Sequence, residues 1–384
     1  DAAQLRFGRM QVAFGTDPKD RSTWEPAQDV GGVFKEFMAV VAEALPSSPL
    51  LHTTADGSLL PSSTARHAEE KGDDLPSPDR RGVEHPAVTK KLLKGLGRLL
   101  GLTIIRDVPL PVSFSRCLYK VLLAEAISAQ DVSRVDPTFA QHRVHAVLKP
   151  GGVAEMEAIL CDELTFVGVA MEAGGDEEGE ELVPGGAKIR VTEENKRTYC
   201  ALLVEQYLVG HARAEVAALA EGFYEVLPAS VIRGVPGLTA LDLELLCAGM
   251  PDIDVDDWRK HTRWCIGISG DGPDGGKKRI LGESEYLTLK DGLFAALSEM
   301  GLEDRAKALA FACGSGRLPA GGFKEMHPPF TVEIMPLQSN DHLPQAHTCF
   351  NALCLPEYES AEILGERLRA AIEGTGGGHG FGIV

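Results

Sequence analysis

The 384-residue sequence is short of basic charge: 38 Lys and Arg stand against 56 Asp and Glu, a formal net charge of -18. A nucleic-acid binder needs a basic face to neutralise phosphates, so no nucleic-acid partner is expected. The acidity favours solubility and basic partners. No apolar run approaches the ~20 residues that cross a bilayer, and no signal peptide or lipidation motif is present, so no membrane span is expected. No two of the eight cysteines are spaced C-x-x-C, which removes zinc ribbons and thioredoxin-like motifs. Gly95, Gly97 and Gly101 read G-x-G-x-x-x-G with no strand pattern before them, so a dinucleotide loop fails. Small residues that let helices pack closely are the simpler reading. The passage from Ser269 to Lys278 is Gly-rich but lacks G-x-x-x-x-G-K and a following Ser or Thr, so it is no phosphate loop. Nothing indicates a metal or small-molecule cofactor.

What is present is an ordinary globular composition, 44% hydrophobic and 24% charged, which excludes general disorder. The length suggests two or three domains. The chain begins at Asp1 without a Met and reads as a fragment of something larger. Cys117, Cys161, Cys200, Cys247, Cys265, Cys313, Cys349 and Cys354 are scattered through mostly apolar surroundings. They read as reduced, buried thiols of an intracellular protein, cytoplasmic or nuclear.

Periodicity predicts a first helix with Val33, Phe37, Val40, Val41 and Leu45 on one side, ended by Pro46. Residues 47–86 read as a long surface insertion. A helix over about 88–105 carries Leu92, Leu93, Leu96, Leu99 and Leu100 on one face, and another apolar helix covers 112–128. Residues 164–169 and 188–191 read as strands around an acidic loop. Helices follow from Thr192 to about 226, over 239–248 and 254–262, then as a pair over 286–312. A last helix begins at Ser360 with Leu364, Leu368, Ala371 and Ile372 on one stripe. The Gly-rich stretch after Cys265 reads as a linker and as the best domain boundary. The terminal Gly376–Val384 segment holds Phe381, an aromatic that a pure linker does not need.

The informative segment is Leu343-Pro344-Gln345-Ala346-His347-Thr348-Cys349-Phe350-Asn351-Ala352-Leu353-Cys354-Leu355-Pro356-Glu357-Tyr358. Cys349 follows two polar residues and precedes an alternating strand, and a thiol at a loop–strand junction is more accessible than one inside a helix face. A free thiol titrates at ~8.5, so neighbours must supply thiolate at neutral pH. His347 lies at i−2, on the same face of an extended chain, which permits contact without ensuring it. From the residues alone, core packing and nucleophilic catalysis both stand open.

The whole stretch resembles the active-site signature of the HECT family of ubiquitin ligases, L-P-x-x-H-T-C-F-N-x-L-x-L-P-x-Y, at every specified position. Further landmarks are similar in order: Gly31-Gly32-Val33-Phe34-Lys35-Glu36-Phe37 (with Lys for the family's Arg), Gly97–Gly101, Pro184-Gly185-Gly186, Val191–Lys196, Glu221-Gly222-Phe223, Glu244–Gly249 and Gly316–Phe323. The likeness covers nearly the whole chain. Three departures stand out: Leu293-Phe294 replaces the family's Phe-Trp pair, the insertions at about 47–86 and 265–282 are longer than usual, and the chain ends Ile383-Val384 without an acidic group.

The resemblance implies an α/β (α+β) bilobal fold. Residues 1–265 would form a mostly helical N-lobe with a small inserted subdomain over about 153–238, residues 266–283 a hinge, and 284–384 a smaller α/β C-lobe. It implies ubiquitin, a ubiquitin-conjugating enzyme and protein substrates as partners. Cys349 would carry ubiquitin as a thioester, His347 and Thr348 would support its loop or polarise the thioester carbonyl, and Phe381 would serve transfer to lysine. Arg317 is a candidate for binding the ubiquitin tail or the opposite lobe, against a plain surface salt bridge. Tyr207, Val216 and Phe223 are candidates for the conjugating-enzyme site, against core packing. The rival readings are a thiol hydrolase of another class and a catalytically idle binding scaffold.

Overall fold

The computed structural model describes residues 33–62, 86–168, 179–267, 278–280, 282, 286–335 and 340–375, with two paired two-residue strands, β1 (Ala13–Phe14) and β2 (Glu25–Pro26). Phe381 lies outside the described residues. The chain groups into two compact units. One comprises Asp1–Arg6, Ala44–Leu102 and Val112–Glu244; the other comprises Phe7–Glu43, Thr103–Pro111 and Leu245–Val384. No helix among the described residues is long and apolar enough to cross a membrane.

Helix α1 (Val33–Ala44) passes into a single 3-10 turn, Leu45–Ser47, at Pro46. Its buried stripe is Phe34, Met38 and Ala42, one position along from the expected one, and Val40 is exposed. Both stripes are apolar in sequence, so periodicity could not choose between them.

In the first unit, the expected insertion begins later than its composition suggests. Strands β3 (Leu51–Thr53) and β4 (Leu59–Pro61) form an antiparallel hairpin whose Leu51, Leu59 and Leu60 are buried; residues 63–85 lie outside the described ones. Helix α2 (Pro86–Arg106) buries Leu93, Leu96 and Leu100 but leaves Leu92 exposed. Then come α3 (Arg116–Leu123), α4 (Ala129–Val135), α5 (Gly152–Leu160), α6 (Lys196–Leu208) and α7 (Arg213–Val226). Helix α4 opens with a reciprocal capping box between Ser128 and Asp131. The strands expected at 164–169 and 188–191 reduce to isolated bridges, Thr165 to Arg190 and Val167 to Glu181. Leu164 and Phe166 are nonetheless buried, so the apolar signal there reported burial without a ladder.

Close packing of α2 on α7 rests on glycine, as the spacing suggested. A Cβ at Gly97 would lie 1.9 Å from the Leu219 carbonyl oxygen, and one at Gly222 would lie 1.9 Å from that of Lys94. The two backbones touch where each helix has no side chain.

The second unit contains α8 (Ala240–Ala248) from Leu245 onward, α9 (Val255–His261) and a five-stranded sheet. Its strands are β5 (Arg263–Gly267), β6 (Lys278–Ile280), β7 (Thr331–Met335), β8 (Gln345–His347) and β9 (Ala352–Pro356), in the order β6-β5-β7-β9-β8. The central three run parallel, and the edges β6 and β8 are antiparallel. Where composition reads as linker throughout 265–282, both flanks are therefore strand; 268–277 lie outside the described residues. Helices α10 (Leu287–Glu299), α11 (Leu302–Cys313) and α12 (Ala361–Thr375) share the sheet's core. Leu364, Leu368, Ala371 and Ile372 are buried as the stripe predicts. Leu293 and Phe294 are both core residues. Phe294 meets Trp264 edge-on at 6.3 Å and lies under the Arg259 guanidinium at 5.0 Å.

Candidate active site

Strand β9 was expected to alternate, yet all five of its residues are buried. It pairs on both edges, with β7 and β8, and Leu353 and Leu355 join Val332 and Ile334 in the core. Burying side chains of this size contributes ~1.5–3 kcal/mol each. The strand that follows Cys349 is thus among the most firmly held parts of this unit.

Strands β8 and β9 form a hairpin closed by the pair His347 and Ala352, and the four residues between them, Thr348 to Asn351, are its loop. Thr348–Phe350 make one 3-10 turn, and Asn351 reverses the chain in the left-handed region at φ 49°, ψ 46°. Asn is one of the few residues that accept this conformation readily. Its backbone N–H donates to the Thr348 carbonyl at 3.3 Å, and its carbonyl accepts from the Thr331 N–H at 3.0 Å. The buried side chain donates through Nδ2 to the Pro328 carbonyl at 2.6 Å and accepts at Oδ1 from Lys35 Nζ at 2.8 Å. All its polar groups are used, and the turn is fixed.

Cys349 therefore stands at the tip of a pinned hairpin loop, half-exposed. Most other thiols are inaccessible. Burial pushes Cys117 and Cys200 up to about 11, and Cys247 and Cys313 up to about 12, which keeps them protonated. Cys265 and Cys354 are also buried. Cys161 is exposed, against the expectation that it packs in the core.

His347 ends β8 with its side chain exposed, while Cys349 is already on the 3-10 turn. The i, i+2 relation of an extended chain does not apply, and among the described residues no hydrogen bond joins the two. Thr348 packs toward the end of α11: a Cβ at Gly314 would lie 3.5 Å from the Thr348 Cβ. Arg317 is half-buried, and its backbone N–H donates to the Ser315 hydroxyl oxygen at 3.3 Å. Val216 and Phe223 are buried in the first unit, at 5% and 0% exposure, so no partner reaches them in this conformation. Tyr207 is half-buried; its ring stacks on Phe139 at 3.7 Å and its hydroxyl donates to Asp136 Oδ2 at 2.5 Å.

Three features escaped sequence reasoning. Phe350, beside the thiol, is 63% exposed. Asn351 carries the turn, which its tendency toward positive φ could have suggested. Lys35 reaches the loop from 316 positions away, and no local signal could have indicated that contact.

Comparison with known proteins agrees with this geometry. Residues 39–383 match the HECT-domain (ubiquitin-transferase) family. The chain is 28% identical over 388 residues to E3 ubiquitin-protein ligase ptr1 of Schizosaccharomyces pombe, covering 99% of this chain and 10% of that protein. It is 29% identical over 397 residues to E3 ubiquitin-protein ligase TOM1-like of Neurospora crassa, covering 100% of this chain and 8% of that one. Identity to human E3 ubiquitin-protein ligase NEDD4 is 32% over 289 residues, 74% of this chain and 20% of the other. The chain thus spans a tenth or less of the first two relatives and a fifth of the third. With the signature cysteine on its hairpin loop and a match over nearly its full length, the chain belongs to the HECT-domain family of ubiquitin transferases.

Proposed function

We propose that this chain takes ubiquitin from a charged conjugating enzyme as a thioester on Cys349 and passes it to a lysine of a protein substrate. The observation that carries this reading is that Cys349, inside the signature segment, stands half-exposed on a pinned loop tip, whereas six of the seven other thiols are buried. In the first step the Cys349 sulfur attacks the donor thioester carbonyl; a new C–S bond forms, the old one breaks, and the donor thiol leaves with a proton. Bonds of one kind are exchanged, so the step is nearly balanced and its rate rests on positioning and thiolate supply. In the second step a lysine amine, with an ordinary pKa of ~10.4, attacks the thioester and must lose a proton. The Cys349 thiol is then restored.

Within this proposal His347 and Thr348 support the loop, and Phe381 assists the second step. Arg317 contacts the ubiquitin tail or the opposite lobe. A hinge over 266–283 would bring the C-terminal lobe, 284–384, toward a conjugating enzyme held by the subdomain at about 153–238, a motion that has to release the β5–β7 pairing and the Lys35–Asn351 bond. The exposed apolar side chains of that subdomain, Ile159, Leu160 and Ile189, suit such a contact better than Val216 and Phe223 do. Thiols that form no disulfide among the described residues accord with a reducing intracellular compartment.

A charging assay tests the reading. Incubation with activating enzyme, conjugating enzyme and ubiquitin should give an adduct that thiol reductant removes. Cys349→Ser should trap a reductant-resistant ester, and Cys349→Ala should form nothing. Charging of the Ala variant would place the thioester elsewhere.

A further inference from the structure

We propose that Lys35 is a positioning residue for the Cys349 loop, acting through Asn351 from a helix far away in sequence. The proposal rests on the thioester reading above. Lys35 lies on the first turns of α1, with its ammonium 2.8 Å from the Asn351 side-chain oxygen. That amide group is 1% exposed and is held from its other end by the Pro328 carbonyl. Without Lys35, Oδ1 would be a buried acceptor lacking this donor, and the left-handed residue that turns the loop would lose half of its side-chain anchorage.

The charge is as informative as the hydrogen bond. Among the described residues no carboxylate forms an ion pair with Lys35. Burial is the main influence on its ammonium and holds it below the ordinary pKa, while Cys313, Cys349 and Asp107 act in the opposite sense. A half-buried cation spent on a neutral amide needs a reason, because a plain amide or hydroxyl would donate there at less desolvation cost. The reason is electrostatic. Helix α11 ends beside the loop at Cys313, and Gly314 follows at φ 75°. A Cβ on Gly314 would lie 3.5 Å from the Thr348 Cβ and 3.7 Å from the Lys35 Cβ, so the helix end, the loop and the Lys35 stem converge there. The C-terminal end of a helix carries partial negative charge and disfavours an anionic sulfur nearby. Lys35 sets a positive charge against it while fixing the turn that presents the thiol.

The test uses the chain as it exists, with two readouts. In single-turnover charging, Lys35→Met should slow adduct formation on Cys349 about tenfold or more, and Lys35→Arg, which restores donor and charge, should return it to within about threefold of wild type. A purely structural stem would be served by Met and worsened by Arg. The rate of Cys349 alkylation by iodoacetamide, read by peptide mass, should follow the same order without any ubiquitin component. If Lys35→Met does not fold, Lys35→Gln carries the same comparison. Wild-type rates for Lys35→Met or Lys35→Gln, or equal slowing by Arg and Met, would overturn the proposal. Failure of the thioester reading is separate: Cys349→Ala would still charge, while alkylation would still report on Lys35.

Discussion

A pair of substitutions two residues apart on one helix isolates the close approach of α2 to α7. Gly95 and Gly97 both lie inside α2, where replacing Gly by Ala gains about 0.5–1 kcal/mol of backbone and helix-propensity free energy. A Cβ at Gly95 meets nothing within 4 Å, so Gly95→Ala should realise that gain in full. At Gly97 the new atom would lie 1.9 Å from the Leu219 oxygen and 2.8 Å from the Phe223 nitrogen, whereas real Cβ contacts stay beyond 3.0 Å. Both obstacles are backbone and cannot rotate away, so the helices must separate by at least about 1 Å. A gap of that size forfeits about a quarter to a half of each dispersion contact along the interface. The affected surface includes the buried Leu93, Leu96, Leu100, Leu219 and Phe223. Overpacking of this kind costs about 1–3 kcal/mol or more, and a backbone obstacle places it at the upper end. Even after the propensity gain, Gly97→Ala should be destabilised by about 1–3 kcal/mol, leaving the two variants about 2–4 kcal/mol apart. Urea unfolding followed by far-UV circular dichroism measures the difference as a shift in midpoint at unchanged slope. Equal midpoints for the two variants would refute the backbone-contact argument.

Asn351 should separate into its two roles: Asn351→Gly keeps the left-handed turn but loses the Lys35 and Pro328 bonds, costing about 2–4 kcal/mol, and Asn351→Ala should cost a further 1–2 kcal/mol of backbone strain, both read by thermal unfolding. Iodoacetamide at pH 8 should label Cys349 and Cys161 in the native chain and spare Cys247 and Cys313, whose thiols burial pushes up to about 12; peptide mass spectrometry reads this directly, and native labelling of Cys313 would contradict its placement. Desolvation raises the Asp136 carboxyl, but the Phe139 N–H, the Tyr207 hydroxyl and the Thr138 N–H together outweigh it and hold the group below its ordinary value. Its contribution is therefore present above the unfolded pKa of ~3.9 and lost as pH falls through the folded one. Tyr207→Phe should cost about 1–2 kcal/mol at pH 7 and progressively less in that acid window, and a cost independent of pH down to 2 would rule the hydroxyl–carboxylate bond out as its source.

The candidate site was legible because its residues are consecutive. One sixteen-residue stretch contains the proposed nucleophile, the turn and the strand behind it. Helices with strong stripes, such as α12, were legible for the same local reason. What escaped was set by distant partners. The buried face of α1 is chosen by what packs on it, and Phe34 and Phe37 are equally apolar. Strand β9 reads as alternating only if one face is solvated; with neighbours on both edges and the core behind it, every residue is buried. Residues 51–61 look like insertion because their turn residues dominate the composition, yet Leu51, Leu59 and Leu60 hold a hairpin in the first unit. Val216 and Phe223 illustrate the converse: an apolar helical residue reads alike whether it faces a core or a partner.

The placement of Cys349 follows from what the proposed chemistry demands. A nucleophile that exchanges one thioester for another gains little from a strong driving force, since the bond broken and the bond made are alike. It must instead be reachable by a macromolecular donor and then by a macromolecular acceptor. A cleft would exclude one or both, whereas a hairpin tip is open to each in turn. The cost of such exposure is precision, because loop tips are ordinarily the least ordered part of a fold. Here that cost is offset locally: the β7 and β8 ladders hold β9, Asn351 locks the reversal, and Lys35 ties Asn351 to α1. Mobility is thereby kept out of the four residues that present the thiol. Any motion needed to bring donor and acceptor together has to arise in longer segments away from that loop, so substitutions that loosen the turn should slow both transfer steps together.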